Sequence, residues 1–201
     1  MVTMNPVQTL PENYQLSRSI DLSKDRKLAI LLNLVGAALF ILMGWFFLTT
    51  ASLLRTDQDS LSWTIEFSDL LLLLLAVPVV ILLHELVHGL FFWVFTRHRP
   101  RFGVKALYAY AAAPDWFIPR GTFIWVALSP LVTISLLGLL LLPLLPAALI
   151  PAVLLALTAN AAGAVGDLFI VFLLLTRPAG TLIRDRGDVV DIFQPSSSTA
   201  G

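Results

Sequence analysis

Two histidines and a glutamate interrupt an otherwise apolar run, L-L-H-E-L-V-H-G-L-F-F-W, at residues 82–93. On a helix, positions i and i+4 share a face about 6 Å apart, so His84 and His88 can direct ring nitrogens at one ion. Glu85 lies beside them and can accept a proton from water that such an ion activates. The spacing therefore predicts a zinc-binding helix with Glu85 as the catalytic base. The alternative is a set of packed polar side chains in a helix bundle, which the cost of ionisable groups in hydrocarbon disfavours.

A third ligand is needed, because a catalytic zinc site has three protein ligands and one open position. Asp167 stands in another apolar run and is, with Glu85, the only acid inside such a run. Counted from the ends of their runs, Asp167 and His84 lie within about one helical turn of the same depth. We therefore predict that Asp167 completes the metal site. The alternative is a carboxyl group that is kept neutral by burial or paired with an arginine.

Two other candidate ligands are excluded. His98 follows His88 by ten residues, which is about 15 Å along a continuous helix, and its R-H-R-P-R context is typical of a membrane interface. Asp115 lies in A-P-D-W, a context that favours a solvated turn.

Asn160 lies among small residues, seven positions before Asp167. Seven residues correspond to about 700° of helical rotation, so the two side chains share a face about two turns apart. The small neighbours allow membrane helices to approach closely. The Asn160 amide is a candidate donor to a substrate carbonyl or an oxyanion, and equally a candidate for an interhelical hydrogen bond.

The composition indicates an integral membrane protein. Of the 201 residues, 58% are hydrophobic and 13% are charged, and the mean hydropathy of +0.87 lies outside the range of soluble domains. A helix that crosses about 30 Å of hydrocarbon needs about 20 apolar residues, and the stretches 28–48, 70–95, 123–145 and 148–176 qualify. We predict an all-α integral membrane protein with about four transmembrane helices. The chain contains no cysteine, which excludes disulfides and cysteine-based metal sites.

Lysine and arginine are distributed unevenly between the connections. Twelve of the 13 flank the spans on one side, and Arg55 alone lies on the other. The positive-inside rule predicts a multi-pass cell-membrane protein with both termini in the cytoplasm. We expect a cytoplasmic N-terminal segment (1–27), a membrane-embedded domain (28–180) and a flexible C-terminal tail (181–201). Acidic and basic residues balance at 13 each, which gives no indication of a nucleic-acid partner.

The connection at residues 101–120 alternates partly between apolar and polar residues and contains Tyr108 and Tyr110. This pattern favours a short interfacial hairpin or loop between the second and third spans. An exposed strand there is able to hold an unwound substrate by β-augmentation, with Tyr108 and Tyr110 as substrate contacts. The alternative is an interfacial aromatic anchor flanked by basic side chains.

The motifs together resemble those of the putative zincin peptidases, a family of small bacterial membrane proteins related to site-2 proteases. The resemblance covers residues 65–180 and is carried by H-E-L-V-H in one span, N-x6-D in a later one, and Y-A-Y-A-A-A-P, I-P-R and A-L-S-P between them. It implies a zincin-like domain in which His84, His88 and Asp167 bind Zn²⁺ and Glu85 is the catalytic base.

The relation to site-2 proteases themselves is distant. Those enzymes usually place the aspartate in an Asp-Gly pair near an Asn-Pro pair. Here Gly166 precedes Asp167, and no proline follows Asn160. Proteolysis is therefore implied by the resemblance to the small family more than by any likeness to site-2 proteases.

The resemblance implies an intramembrane zinc metalloprotease that hydrolyses membrane-anchored protein substrates near the cytoplasmic face. Two alternatives stay open: a non-catalytic zinc-binding membrane scaffold, and a metal or proton transporter. Three candidate ligands leave one coordination position open, which favours an enzyme over a structural site. The polar residues cluster at one depth and do not form a file across the bilayer, which disfavours a transporter.

Overall fold

The computed structural model describes residues 5–21, 24–54, 67–104 and 109–196. Its elements follow in chain order: β1 (Tyr14–Asp21), α1 (Arg26–Leu54), α2 (Phe67–Thr96), β2 (Arg101–Val104), β3 (Ala109–Ala112), β4 (Ile118–Pro119), α3 (Arg120–Leu141), α4 (Ile150–Gly163), α5 (Val165–Leu175), β5 (Leu182–Asp185) and β6 (Val189–Pro195). Short 3-10 turns at Leu142–Leu144 and Ala147–Leu149 join α3 to α4.

The long helices have the length and composition of membrane spans. Within the described residues, four such spans occur, at Arg26–Leu54, Leu70–Thr96, Arg120–Leu144 and Ala147–Leu175. Many of their large apolar side chains are exposed, including Ile41 at 75% and Trp45 at 68%. A helix satisfies its own backbone polar groups, so side chains of this kind can face lipid directly. The predicted spans are confirmed by length and composition, and they indicate a multi-pass membrane protein.

The fourth span is divided into two helices just before Asp167. α4 ends at Gly163 and α5 begins at Val165. The amide of Ala164, between the two helices, donates to the carbonyl oxygen of Asn160 at 3.0 Å. The sequence predicted one helix over 148–176, because a single residue that departs from helical geometry leaves no mark on the apolar pattern. The break places Asp167 in the first turn of α5. The backbone amides at a helix N-terminus favour a negative charge there.

One compact unit combines strands with segments of four helices. It comprises residues 1–30, 85–129 and 167–201. Among its described residues, a sheet has the order β1-β6-β5-β4 with antiparallel neighbours, and β2 pairs with β3 in a separate hairpin. The sheet packs on the helix segments through a buried core: Ile20, Phe92, Ala113, Ile118, Phe123, Val126, Ala127, Ile170, Val171, Leu174, Ile183 and Ile192. This core fixes the helix segments that carry His88 and Asp167.

The other compact unit comprises residues 31–84 and 130–166 and is helical where it is described. Its core consists of Phe47, Ala51, Leu142, Ile150, Leu154, Leu157 and Ala161. Gly138 allows α3 to approach α4, because a Cβ at this position would overlap the side chain of Leu157. The division between the units falls inside the continuous helix α2, between His84 and Glu85.

The strands correct the expectation of an all-α protein with a flexible tail. Residues 182–195, expected to be flexible, form β5 and β6, and Ile183 and Ile192 within them are fully buried. β1 of the N-terminal segment pairs with β6 from Tyr14↔Pro195 to Asp21↔Val189. The sequence did not indicate this sheet, because its strands come from opposite ends of the chain and charged residues interrupt the apolar alternation.

Candidate metal centre

His84, His88 and Asp167 come together in the structure. One ligand atom from each lies within 4.8 Å of the others. The uninterrupted helix α2 places both rings on one face by their i, i+4 spacing. Both histidines are buried and Asp167 is half-buried. Two imidazole nitrogens and a carboxylate oxygen form the kind of donor set found in catalytic zinc sites, so these residues fit a zinc ion.

The contact between His88 and Asp167 has the length that two neighbouring ligands of one ion require. Nε2 of His88 lies 3.4 Å from Oδ1 of Asp167. Two atoms that each lie about 2.1 Å from a tetrahedral ion are about 3.4 Å apart. The first turn of α5 and the middle of α2 are therefore held at a spacing suited to a shared metal ion.

Hydrogen bonds fix which ring nitrogen each histidine presents to the site. Nδ1 of His88 lies 3.0 Å from the carbonyl oxygen of Val126 in α3. Nδ1 of His84 lies 3.0 Å from Oδ1 of Asn160 in α4. Both partners are acceptors, so each Nδ1 carries a proton and donates it. Each Nε2 then has the lone pair that a metal ion needs.

Asn160 is held by hydrogen bonds at both ends of its amide. Its Nδ2 donates to the carbonyl oxygen of Pro130 at 3.3 Å, which directs Oδ1 toward His84. The residue is only 2% exposed. The sequence left open an oxyanion donor or an interhelical hydrogen bond. The structure shows the second arrangement, in which Asn160 orients His84.

Glu85 is held by the backbone of the β2–β3 hairpin. Its Oε2 accepts a hydrogen bond from the amide of Ala111 at 2.7 Å. Ala111 lies in β3 opposite Phe102 of β2. In an antiparallel pair, alternate amides point away from the partner strand. The Ala111 amide is one of these, and it points toward α2. The hairpin predicted between the second and third spans is thus present and fixes the carboxylate beside the metal ligands.

Tyr110, one of the two predicted substrate contacts, lies in β3, where its ring covers Gly103 and Gly187. Tyr108, the other predicted contact, lies outside the described residues. The Tyr110 ring therefore has contacts within the protein, and the substrate roles of Tyr108 and Tyr110 stay predictions.

His98 and Asp115, which the sequence analysis excluded as metal ligands, make other contacts. The His98 ring packs against Trp116 with centroids 5.0 Å apart. Asp115 forms an exposed ion pair with Arg101 at 2.7 Å. Neither residue belongs to the metal-ligand group found within the described residues.

Asp185, at the end of β5, is an acidic residue that the sequence analysis did not single out. Desolvation by burial raises the pKa of its carboxyl group to about 7, opposed by the Gly187 amide, which donates to Oδ1 at 2.7 Å. The charges of His88, Asp167 and Glu85 have smaller effects on this pKa. The segments L-I-R-D and V-V-D-I-F-Q-P lie on either side of R-G-D. Two runs with β-branched residues that flank a short glycine-containing turn are a hairpin signal, but here they lie in the expected tail.

A His-Glu-x-x-His motif on one helix, with a carboxylate from another helix as the third candidate ligand, is the arrangement expected of a zinc metallopeptidase. The family model described as "Putative zincin peptidase" matches residues 77–182, more than half of the chain. The chain belongs to this family, which indicates a zinc-dependent peptidase. The matched segment contains all four predicted catalytic and metal-binding residues. No curated protein and no solved structure matches the chain.

Proposed function

We propose that the protein is an intramembrane zinc metalloprotease that hydrolyses peptide bonds of membrane-anchored proteins near the cytoplasmic face. The observation that carries the proposal is the group of His84, His88 and Asp167, whose ligand atoms lie within 4.8 Å of one another with Glu85 next to the first histidine. All of these residues lie in or beside spans that are apolar enough to cross a membrane. Family membership supports the peptidase chemistry.

The hydrogen bonds of the site indicate a role for each residue. A zinc ion held by these ligands would supply polarisation of the scissile carbonyl and activation of water. Glu85 takes a proton from the attacking water and gives it to the leaving amine nitrogen as the C–N bond breaks. The Ala111 amide keeps the carboxylate in place for both transfers. The Nδ1–H bonds to Val126 and Asn160 prevent the two imidazole rings from rotating.

The distribution of charge supports a cytoplasmic site. Twelve of the 13 lysines and arginines flank the spans on the side that carries both termini and the 97–120 connection. Glu85 is hydrogen-bonded to that connection through Ala111. By the positive-inside rule, the connection and the catalytic base beside it lie toward the cytoplasm.

Cleavage requires the substrate helix to unwind locally, because a helix keeps its carbonyl groups in intrahelical hydrogen bonds. The β2–β3 hairpin lies next to Glu85, so its strands are in a position to pair with an unwound substrate segment. Phe102 and Val104 of β2 are exposed, at 53% and 80%. An extended substrate that adds to this hairpin would be bound through its backbone, which allows many sequences to be accepted.

Replacement of Glu85 by glutamine tests the proposal. The substitution keeps the shape and the hydrogen-bond acceptor but removes the ability to take a proton. Zinc-loaded wild-type protein in detergent micelles should cleave fluorescein-labelled casein, and Glu85→Gln should lower kcat by at least about 100-fold. Zinc content, measured by mass spectrometry, should be unchanged.

Glu12→Gln is the matched control, because Glu12 is exposed and lies in the N-terminal segment. It should cleave casein at the wild-type rate. Equal cleavage by Glu85→Gln and the wild type would refute the assignment of Glu85. If all three proteins bind zinc and none of them cleaves casein, the result would favour the scaffold alternative.

A further inference from the structure

The ring of Tyr110 is enclosed by two glycines from different hairpins. Gly103 lies directly opposite Tyr110 across the β2–β3 pair, and a Cβ there would overlap the outer edge of the ring. Gly187 lies in the β5–β6 turn, and a Cβ there would lie 2.5 Å from Cδ2 of the same ring. Only residues without a side chain allow the ring to lie this close to both backbones.

The turn that carries Gly187 is held in a defined conformation. Gly187 has φ +92°, a left-handed value that glycine adopts readily. Its amide donates to Oδ1 of Asp185 at 2.7 Å, and the Arg186 amide donates to the carbonyl oxygen of Val189 at 3.0 Å. Behind the turn, β5 and β6 are anchored by the fully buried Ile183 and Ile192. The ring therefore rests on a rigid support.

The residue that follows Tyr110 in β3 holds the Glu85 carboxylate. Ala111 follows Tyr110 in β3, and its amide donates to the Glu85 carboxylate at 2.7 Å. The hairpin has a further contact with α2, since Phe102 packs where a Cβ on Gly89 would be. A shift of the Tyr110 ring would move the backbone of β3 relative to α2 and lengthen the hydrogen bond to Glu85.

We propose that Tyr110 is a positioning residue for Glu85, and that the β5–β6 turn completes the catalytic unit by supporting the Tyr110 ring through Gly187. This proposal rests on the proposed function for the role of Glu85. It replaces the substrate-contact role predicted for Tyr110 from the sequence. It also gives the C-terminal strands a function in catalysis, although no metal ligand or general base lies within them.

Hydrogen exchange of the Ala111 amide tests the positioning role without any substrate or metal. In zinc-free protein in micelles, NMR should show a protected Ala111 amide in the wild type. Gly187→Ala pushes on the ring and should raise its exchange rate at least about tenfold. Gly180→Ala is the matched control, because a Cβ there meets only ordinary contacts at 3.6 Å and 3.8 Å. It should leave the rate within about twofold.

Tyr110→Ala is a second test, which is needed because Gly187→Ala could also loosen the C-terminal sheet. It leaves the turn unchanged and should accelerate Ala111 exchange by a similar factor, while the Ile183 and Ile192 amides stay protected. Tyr110→Phe retains the ring and should behave like the wild type. Unchanged Ala111 exchange in Tyr110→Ala would overturn the proposal.

Kinetics on fluorescein-labelled casein separate positioning from substrate binding. Tyr110→Ala should lower kcat at least about tenfold, leave KM within about threefold, and leave zinc content unchanged. The double variant with Gly187→Ala should be no slower than Tyr110→Ala alone, because both changes act through one contact. A raised KM with unchanged kcat would overturn the proposal in favour of a substrate contact. A wild type that cleaves nothing would refute the proposed function, and the exchange experiment would still decide the role of Tyr110.

Discussion

The two histidines of the candidate metal site are oriented by hydrogen-bond partners of different kinds. His88 donates to a backbone carbonyl, that of Val126, which also accepts a hydrogen bond from Ser129 at 2.7 Å. His84 donates to a side chain, that of Asn160. A backbone acceptor cannot be removed by substitution, whereas the amide can. The contribution of ring orientation to zinc binding is therefore open to measurement at His84.

Asn160→Ala should weaken zinc binding by about 10- to 100-fold, because the His84 ring loses the acceptor that fixes its tautomer and orientation. Titration of the apoprotein against a competing chelator would measure the change. Thr158→Val is the control on the same helix, since Thr158 is buried and its hydroxyl donates to the carbonyl oxygen of Leu154, one turn earlier in α4, at 2.7 Å. Equal zinc affinities for Asn160→Ala and Thr158→Val would contradict the assigned role.

At the residue scale, the sequence predicted the side chains that come together at the candidate metal site, but not the backbone groups that hold them. His84, Glu85 and His88 follow from local spacing, and Asp167 follows from its depth in an apolar run. The carbonyl oxygen of Val126 and the amide of Ala111 have no side-chain signature. They are selected by how helix and strand pack together, and a linear pattern does not contain that information.

At the scale of elements, a buried ionic group secures the β5–β6 hairpin. Asp191 is 3% exposed. Its carboxylate accepts from Ser19 at 2.8 Å and lies 3.2 Å from Arg184 and 3.0 Å from Arg186. Three of the charges that made this segment look like a solvated tail are therefore paired with one another, and the shared Asp191 carboxylate links β1, β5 and β6.

Asp191→Ala should destabilise the sheet by about 2–4 kcal/mol, because two arginines and Ser19 lose a shared buried partner. Exchange of the Ile183 and Ile192 amides would report the lower opening free energy. Asp115→Ala removes an exposed ion pair instead, and it should cost about 1 kcal/mol or less.

Equal exchange rates in Asp191→Ala and the wild type would contradict this account of the sheet. The comparison with Asp115→Ala is informative because both substitutions remove a carboxylate that is paired with arginine. The two sites differ in burial, since the side chain of Asp191 is 4% exposed and that of Asp115 is 63% exposed.

At the scale of the whole molecule, the spans could be predicted because a run of about 20 consecutive apolar residues is recognisable in the linear sequence. The sheet could not be predicted, because it pairs β1, at residues 14–21, with β6, at residues 189–195, which are far apart in the sequence. The family match ends at residue 182, where β5 begins. The strands that support the Tyr110 ring therefore lie almost wholly beyond the matched segment.

Membrane orientation is a further prediction for the whole chain, which has no native cysteine to interfere with labelling. Single cysteines at Glu12 and Asp57 would lie on opposite sides of the first span. A membrane-impermeant maleimide on intact cells should label Asp57→Cys and should label Glu12→Cys only after permeabilisation. The reverse pattern would place the metal centre nearer the outer face.

The central claim is that one zinc ion is held by two imidazoles and the Asp167 carboxylate. Zinc analysis of the purified protein, with Asp167→Ala beside the wild type, tests it most directly. We expect about one zinc per wild-type chain, and a loss of at least about 100-fold in affinity when one of three protein ligands is removed. Full zinc content and unchanged affinity in Asp167→Ala would contradict the account.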